Sequence, residues 1–377
     1  MSAISNPNPE LGIQPDGTNR GLYWDPNARG GKGARISTHS QLKTFRKCPL
    51  CAYFKYVLRL KPKKLASPLK RGTWVHAVLE AFHKGEDWKA VHEAYSHEFS
   101  KLFDEEKDYY GDLPREIGTI LRSYMWHYKN DPWEYVDAEF QLEAEMPDGS
   151  LYRGKVDALI RNQFGLWLVD HKTHKTLPDL SHRIRDSQSA LYLWAGRENG
   201  MDLNGFIWNY LRWKAPSEPK LLVKGDRISD SAVDTDYPTF VRALKRYKAE
   251  NPDTFKIRPK DAEYAKMLKS RQYDPTKLQS SESFRRDVLE KSDSLLDHVM
   301  LMNSHTAERM HSYDFSNIDR IEMADPSGFY GCFYEDLHIA HIMGTNLRPL
   351  IKQNYTVGDP QDYYQDRSPS DVMATRG

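Results

Sequence analysis

Cysteine is scarce in this chain, with three among 377 residues. So few thiols build no disulfide framework, and a reducing, cytoplasmic setting is expected. No run of about 18 apolar residues occurs, so no membrane-spanning helix is expected. Residues 1–30 are polar and rich in Pro, Asn and Gly, unlike a secretory signal. No Gly-x-x-x-x-Gly-Lys-Ser/Thr run is present, which excludes a phosphate-loop ATPase from this stretch of sequence. Acidic residues are missing from one long block. Between Pro26 and Arg71 there is no Asp or Glu, against thirteen Lys or Arg. The net charge is +1, so the remainder carries about −12. A block this basic suits a polyanion, most commonly nucleic acid; a solvated basic face is the alternative.

Apolar residues make up 39% and charged residues 28%, enough for one large domain or two ordinary ones with a real core. Residues 1–34 have turn composition ("SNPNPE", "QPDGTN", "NARGGKGA") and read as a flexible tail, with order beginning near Ile36. "STHSQLKTFRKCP" puts Ser or Thr caps ahead of Leu42 and Phe45 at helical spacing. "CAYFKYVLRL" continues that helix or forms the next, and "KPKKLASPLKRG" reads as a basic loop. In "TWVHAVLEAFHKG", Val75, Val78, Leu79 and Phe82 share one helical face. Residues 35–130 are thus expected to be a helical N-terminal part. After Asp131-Pro132 the period changes. "EYVDAEFQLEAEMPDGS", "LYRGKVDALIR", "GLWLVDHKT" and "GFIWNYLRW" read as strands, the last followed by "KLLVKG", with "HRIRDSQSALYLWAGRENG" a helix between the third and fourth. That makes 131–225 a sheet core. From about Ser231 the pattern is helical again, most clearly in "SFRRDVLEKSDSLLDHVMLMNSH", so 226–346 is a helical C-terminal part. The three parts form a single domain over 35–346, and 347–377 reads as a second flexible tail.

Asp157, Asp170 and Lys172 stand where a buried hairpin should be apolar. A two-residue turn at Gln163-Phe164 pairs Asn162 with Gly165, and a four-residue loop gives the same register. Carried along the ladder, Asp157 faces Asp170, unless a bulge at Gly165 shifts the pairing by one. Directly opposed side chains stand about 5 Å apart. Two carboxylates that close on a half-buried sheet either take up a proton or hold a cation. With open water positions they suit Mg²⁺ or Mn²⁺, which favour oxygen ligands. Lys172, two residues on, leaves the same face of its strand. An ammonium beside a divalent site fits a reaction that gathers negative charge, such as phosphodiester hydrolysis. The plainer alternative is a buried ion pair between Lys172 and one of the aspartates.

Five stretches occur in a telling order over roughly 36–195: "STHSQLKTFRKCPLCAYFKYVLRL", "RGTWVHAVLE", "GKVDALI", "LWLVDHKT" and "SQSALYLWA". Together they resemble the PD-(D/E)XK nuclease superfamily, in particular its RecB-type branch, which includes recombination helicase-nucleases, CRISPR adaptation exonucleases and many phage exonucleases. The resemblance implies an α/β fold with a restriction-endonuclease-like core, a mixed central sheet flanked by helices, and helical additions at both ends. It implies that His76, Asp157 and Asp170 ligate the metal, with the backbone carbonyl of His171 a further ligand and the His171 side chain on the opposite face. Lys172 would be the catalytic lysine. Gln188 and Tyr192, four apart and so on one helical face, would lie near the active site against DNA. Glu80, one turn after His76, would orient it or a water. Lys55, Arg59, Lys61, Lys63, Lys64, Lys70 and Arg71 would guide the strand by its phosphates.

Many members of that branch carry a [4Fe–4S] cluster held by one cysteine from the opening helix and three from the C-terminal region. This chain departs from the pattern. It has Cys48, Cys51 and Cys332; His338 takes the last cysteine position of "GCFYEDLH", and Gly328 or Phe329 stands at another, so four cysteine ligands are ruled out. Three expectations stay open. Cys48, Cys51, Cys332 and His338, with His341 a substitute, make a second metal site for zinc or an unusual cluster. A degenerate iron–sulfur site survives only as packing. Or Cys48 and Cys51 are buried hydrophobes unrelated to Cys332.

The combined expectation is a metal-dependent DNA nuclease, an exonuclease in DNA processing, recombination or repair, acting on single- or double-stranded ends with Mg²⁺ or Mn²⁺. A helicase or recombinase partner would act in trans, without a membrane. The location would be cytoplasmic, that of the host if the chain is phage-encoded. Two alternatives remain: a structure-selective endonuclease on the same core, and a catalytically inactive DNA-end binding protein.

Overall fold

Alternation along one strand explains the layering. In the stretch Leu203–Arg212, Phe206, Trp208 and Tyr210 enter one apolar cluster and Leu211 enters another on the opposite face. A strand covered on both faces must be apolar throughout, and every residue from Gly205 to Leu211 is buried.

The computed structural model describes residues 24–25, 27–64, 67–179, 181, 183, 186–274, 283–324 and 332–358. Among them the strands are β1 (Trp24–Asp25), β2 (Ala34–Ser37), β3 (Leu60–Pro62), β4 (Glu134–Glu145), β5 (Leu151–Asn162), β6 (Gly165–His174), β7 (Leu203–Arg212), β8 (Phe284–Leu289) and β9 (Tyr355–Val357). Seven form one mixed sheet in the order β1-β2-β5-β6-β7-β8, with β4 also on β5. The pairs β2–β5 and β6–β7 are parallel. The helices that position the site are α1 (His39–Lys47), α2 (Ser67–His83), α3 (Leu113–His127), α4 (Ser187–Glu198) and α5 (Asp293–Ser312). Helices α1, α4 and α5 cover one face through Leu42, Phe45, Leu191, Trp194 and Met310. Helices α2 and α3 cover the other through Trp74, Val78, Leu121 and Tyr124. The chain is therefore an α/β fold with a mixed sheet between helical layers. No helix among the described residues is long and apolar enough to cross a membrane.

The hairpin has the expected register: Asn162 pairs with Gly165, Arg161 with Leu166 and Ala158 with Val169. Strand β4 lies along the full length of β5 on one side. On the other side β2 takes only Leu151 and Tyr152, and β6 takes Ala158 to Asn162. Arg153 to Asp157 are left uncovered there, so a gap opens in the sheet beside the two aspartates.

Several expectations are corrected. Within "SFRRDVLEKS", Phe284–Leu289 is strand β8, antiparallel to β7, and the helix starts only at Asp293 under a Ser292 cap. Phe284 and Val288 mimic helical spacing, while an inward position is hidden by its charge. Arg286 is held by Asp131 through two bonds of 3.0 and 2.6 Å and lies 3.3 Å from the Trp133 ring centre. The basic loop is shorter than expected, since β3 takes Leu60–Pro62 and α2 begins at Ser67. Order starts earlier than Ile36, with β1 and β2 pairing. It also extends past 346: a helix over Arg348–Asn354 leads into β9, which pairs with β3. Residues 1–23 and 359–377 of the two tails lie outside the described residues.

Removing Arg286 would leave the Asp131 carboxylate poorly hydrated and unpaired. Arg286→Met should cost about 3 kcal/mol in urea unfolding; a loss below about 1 kcal/mol, the value of an exposed pair, would contradict this role.

Candidate active site

The site sits where β5 and β6 part. The ladder ends at Ala158 and Val169, and the next facing pair is Asp157 and Asp170. Instead of continuing the backbone ladder, the Asp157 carboxylate accepts a hydrogen bond from the His171 backbone N–H at 2.6 Å. Helix α2 brings His76 Nδ1 to 3.3 Å from the same carboxylate oxygen. Asp170, only 2% exposed, meets Lys172 Nζ at 2.6 Å and accepts from Gln188 Nε2 at 3.0 Å. Gln188 is placed by the Asp186 cap of α4, and its amide also reaches the Tyr192 hydroxyl, which donates to the Lys155 carbonyl. The side chains of Asp170 and Lys172 thus leave one face of β6. The His171 side chain leaves the other, where Nδ1 lies 2.7 Å from Asn209 Nδ2.

One acidic residue enters that sequence reasoning missed. Glu139 lies on β4 between Ala138, paired with Ala158, and Phe140, paired with Val156, and so faces Asp157. Its backbone is left-handed, with φ of 57°, a conformation that costs a non-glycine residue energy and is found at functional sites. Glu139, Asp157 and His76 each offer a ligand atom within 4.8 Å of the others. The signal was available: the turn around Pro147-Asp148-Gly149 pairs Glu145 with Leu151, and counting back places 139 opposite 157. Asp170 stands beside that trio, with one oxygen on Gln188 and the other on Lys172.

Crowding dominates the electrostatics. Burial, then the Asp157 charge, push Asp170 up to about 6 despite Lys172. Burial and Asp157 likewise push Glu139 up to about 7, against the pull of Lys155 at 2.6 Å. Burial opposes charge on Asp157 too, but His76, His171 and Lys172 outweigh it and hold its pKa well below the usual value. Burial disfavours charge on His76, yet Asp157 and Asp170 raise it to about 9. Burial opposes the Lys172 ammonium, and Asp170 and Asp157 overcome that. Three crowded carboxylates, one imidazole nitrogen and a partial gap in the sheet form a donor set that a hard divalent cation fits.

The remaining expected residues scatter. Glu80 is paired with Lys84 at 2.6 Å rather than with His76. Lys55 is half-buried near Tyr56, in the wall of a cavity shared with Gln188 and Tyr192. Arg59 and Lys61 are half-buried. Lys63 donates to the Lys352 carbonyl, Lys64 lies 3.7 Å from the Tyr109 ring centre, and Lys70 lies over Tyr110. Arg71 departs from the expected open basic surface: it is buried, bonded to Glu116 at 2.7 Å. In the core that α1, α4 and α5 share, Cys51 Sγ lies 3.3 Å from Cys332 Sγ and 3.1 Å from His338 Nε2. Cys48, Cys51 and His338 bring their ligand atoms within 4.8 Å of one another. His341 is half-buried one turn beyond.

Comparison with known families matches the PD-(D/E)XK nuclease superfamily over residues 37–319, well over half the chain. The chain belongs to the PD-(D/E)XK nuclease superfamily. At that level it is a metal-dependent nuclease of the kind that uses Mg²⁺ or Mn²⁺ on DNA. A solved structure titled "Crystal structure of SSO0001" is 18% identical, covering 43% of this chain and 71% of that one, with a TM-score of 0.18; a score that low carries no argument. No curated protein matches.

If Glu139 is a ligand, Glu139→Gln should weaken Mn²⁺ binding by about tenfold or more in calorimetric titration, while relief of repulsion leaves the metal-free protein at least as stable. Unchanged affinity would remove Glu139 from the site.

Proposed function

We propose that this nuclease hydrolyses DNA from ends, as an exonuclease, with His76, Asp157, Glu139, Asp170 and the His171 backbone carbonyl holding the metal. The observation that carries the reading is the convergence of His76, Asp157 and Glu139 at the β5–β6 fork, with Asp170 and Lys172 beside them. When bound, a divalent ion supplies Lewis acidity to the phosphate and lowers the pKa of a water at the same centre. Lys172, kept charged by Asp170 and Asp157, orients the attacking water or offsets charge on the phosphate in the transition state. Asp170 fixes that ammonium, and Gln188 fixes Asp170. Tyr192 holds Gln188 to the β5 backbone. The preference for ends rests on the resemblance to RecB-type exonucleases.

The test is digestion of 5′- and 3′-labelled linear DNA alongside closed circles. Wild-type protein with Mn²⁺ should degrade the linear forms, and Lys172→Ala should lower kcat by at least about a hundredfold with the fold intact. Equal digestion of circles would favour a structure-selective endonuclease. Equal rates for wild type and variant would remove Lys172 from the chemistry.

A second reading concerns Cys48, Cys51, Cys332 and His338, and we propose that they hold one zinc ion. Supporting it is the electrostatic imbalance of the cluster: Cys51, then burial, act on Cys48 with the net result of a pKa near 4, and the same holds for Cys332. The excess negative charge raises His338 to about 9 even though burial disfavours it. Cys332, Cys48 and burial push the Cys51 thiol well up, so it would release its proton on binding the ion; three thiolates and an imidazole then make a tetrahedral count that suits zinc. Elemental analysis should find one zinc per chain, lost in Cys51→Ser, and chelation should lower the unfolding midpoint. Iron with visible absorbance would indicate a cluster instead, and no metal would leave the residues as packing.

A further inference from the structure

A cavity of about 340 Å³ opens beside the fork, against the stretch of β5 that no strand covers on that side. Its inner wall is shared with the active site. Gln188, which holds Asp170, and Lys155, which holds Glu139, both line it. Its outer wall is the start of α1, where Ser40 is exposed. A chain of nucleotides whose phosphate sits at the carboxylates therefore brings an adjoining nucleotide to this opening.

The chemistry inside favours a neutral, hydrogen-bonding guest over a phosphate. Arg153 is already neutralised by Asp25 at 2.7 Å and Glu143 at 2.5 Å, and Lys155 by Glu139. Burial holds His39 neutral, with its pKa lowered to about 4, and its ring meets Ser187. What remains are amides, hydroxyls and the half-buried Lys55, whose charge burial disfavours. The Tyr152 hydroxyl is decisive: the residue is 0% exposed, and this oxygen has no hydrogen-bond partner among the described residues. A buried hydroxyl left unpaired in a cavity wall calls for a partner, which a guest in the cavity would supply. Gly154 keeps the approach open, since a methyl group there would lie 3.0 Å from the Tyr152 oxygen and 2.5 Å from the Tyr192 ring. The volume matches pockets that hold molecules of nucleobase size.

We propose that this cavity receives the base of a nucleotide adjoining the scissile phosphate, its polar edge meeting the Tyr152 hydroxyl. The proposal rests on the nuclease reading and adds a subsite to it. It makes Tyr152 a binding residue and the cavity a determinant of which base flanks the cut.

The test uses the full chain in Ca²⁺, with 2-aminopurine placed in turn at each position of a single-stranded oligonucleotide. One position should brighten on binding, as its base leaves the stack, and its neighbours should not. Ser40→Trp, an exposed change at the mouth, should abolish that signal. Tyr152→Phe removes only an unpartnered hydroxyl, so a structural role predicts neutrality or added stability, whereas a guest-binding role predicts DNA affinity weaker by about fivefold or more. Uniform fluorescence along the strand, a signal that survives Ser40→Trp, or unaltered affinity in Tyr152→Phe would overturn the subsite. Parallel digestion with Mn²⁺ separates the two claims: a position-specific signal without digestion keeps the pocket and removes the nuclease reading.

Discussion

Repulsion among three carboxylates is the constraint on which the rest of this molecule depends. Asp157, Asp170 and Glu139 are gathered in one half-buried place, and their proton affinities are pulled apart as a result. Like charges this close do not stay together without compensation. The protein supplies part of it from its own cations, with Lys172 on Asp170, Lys155 on Glu139 and His76 on Asp157. A divalent cation would supply the remainder. The arrangement is therefore costly without metal and favourable with it.

The sheet is shaped to allow this. Backbone pairing between β5 and β6 stops one step short of the two aspartates, and the freed His171 N–H binds Asp157 instead. The left-handed residue Glu139 turns a strand position into a ligand position. Everything behind the fork is packed tightly: β7 is buried on both faces, and His171 is anchored to Asn209, which also meets Tyr124. A rigid back wall with an open front is what positioning of a phosphate requires.

Much of the site was legible because it depends on local period and register. The two-residue turn fixed the pairing that sets Asp157 against Asp170, and spacing alone put Gln188 and Tyr192 on one helix face. Glu139 was not read because its role depends on a positive φ and on counting through a second turn. Strand β8 was misread because Arg286 occupies an inward position that a hydropathy pattern scores as exposed, and only the aromatic rings and Asp131 around it show otherwise. Arg71 was grouped with the basic block because charge in sequence does not reveal whether a carboxylate from another helix, here Glu116, already neutralises it. Tertiary partners, invisible to a linear pattern, account for each of these differences.

The most direct test of the central claim is an anomalous difference map from crystals grown with Mn²⁺. The account predicts a single strong manganese peak within bonding distance of His76, Asp157, Glu139 and Asp170, with the His76–Asp157 contact replaced by ligation. A map with no peak at the fork, and His76 still bonded to Asp157, would contradict it.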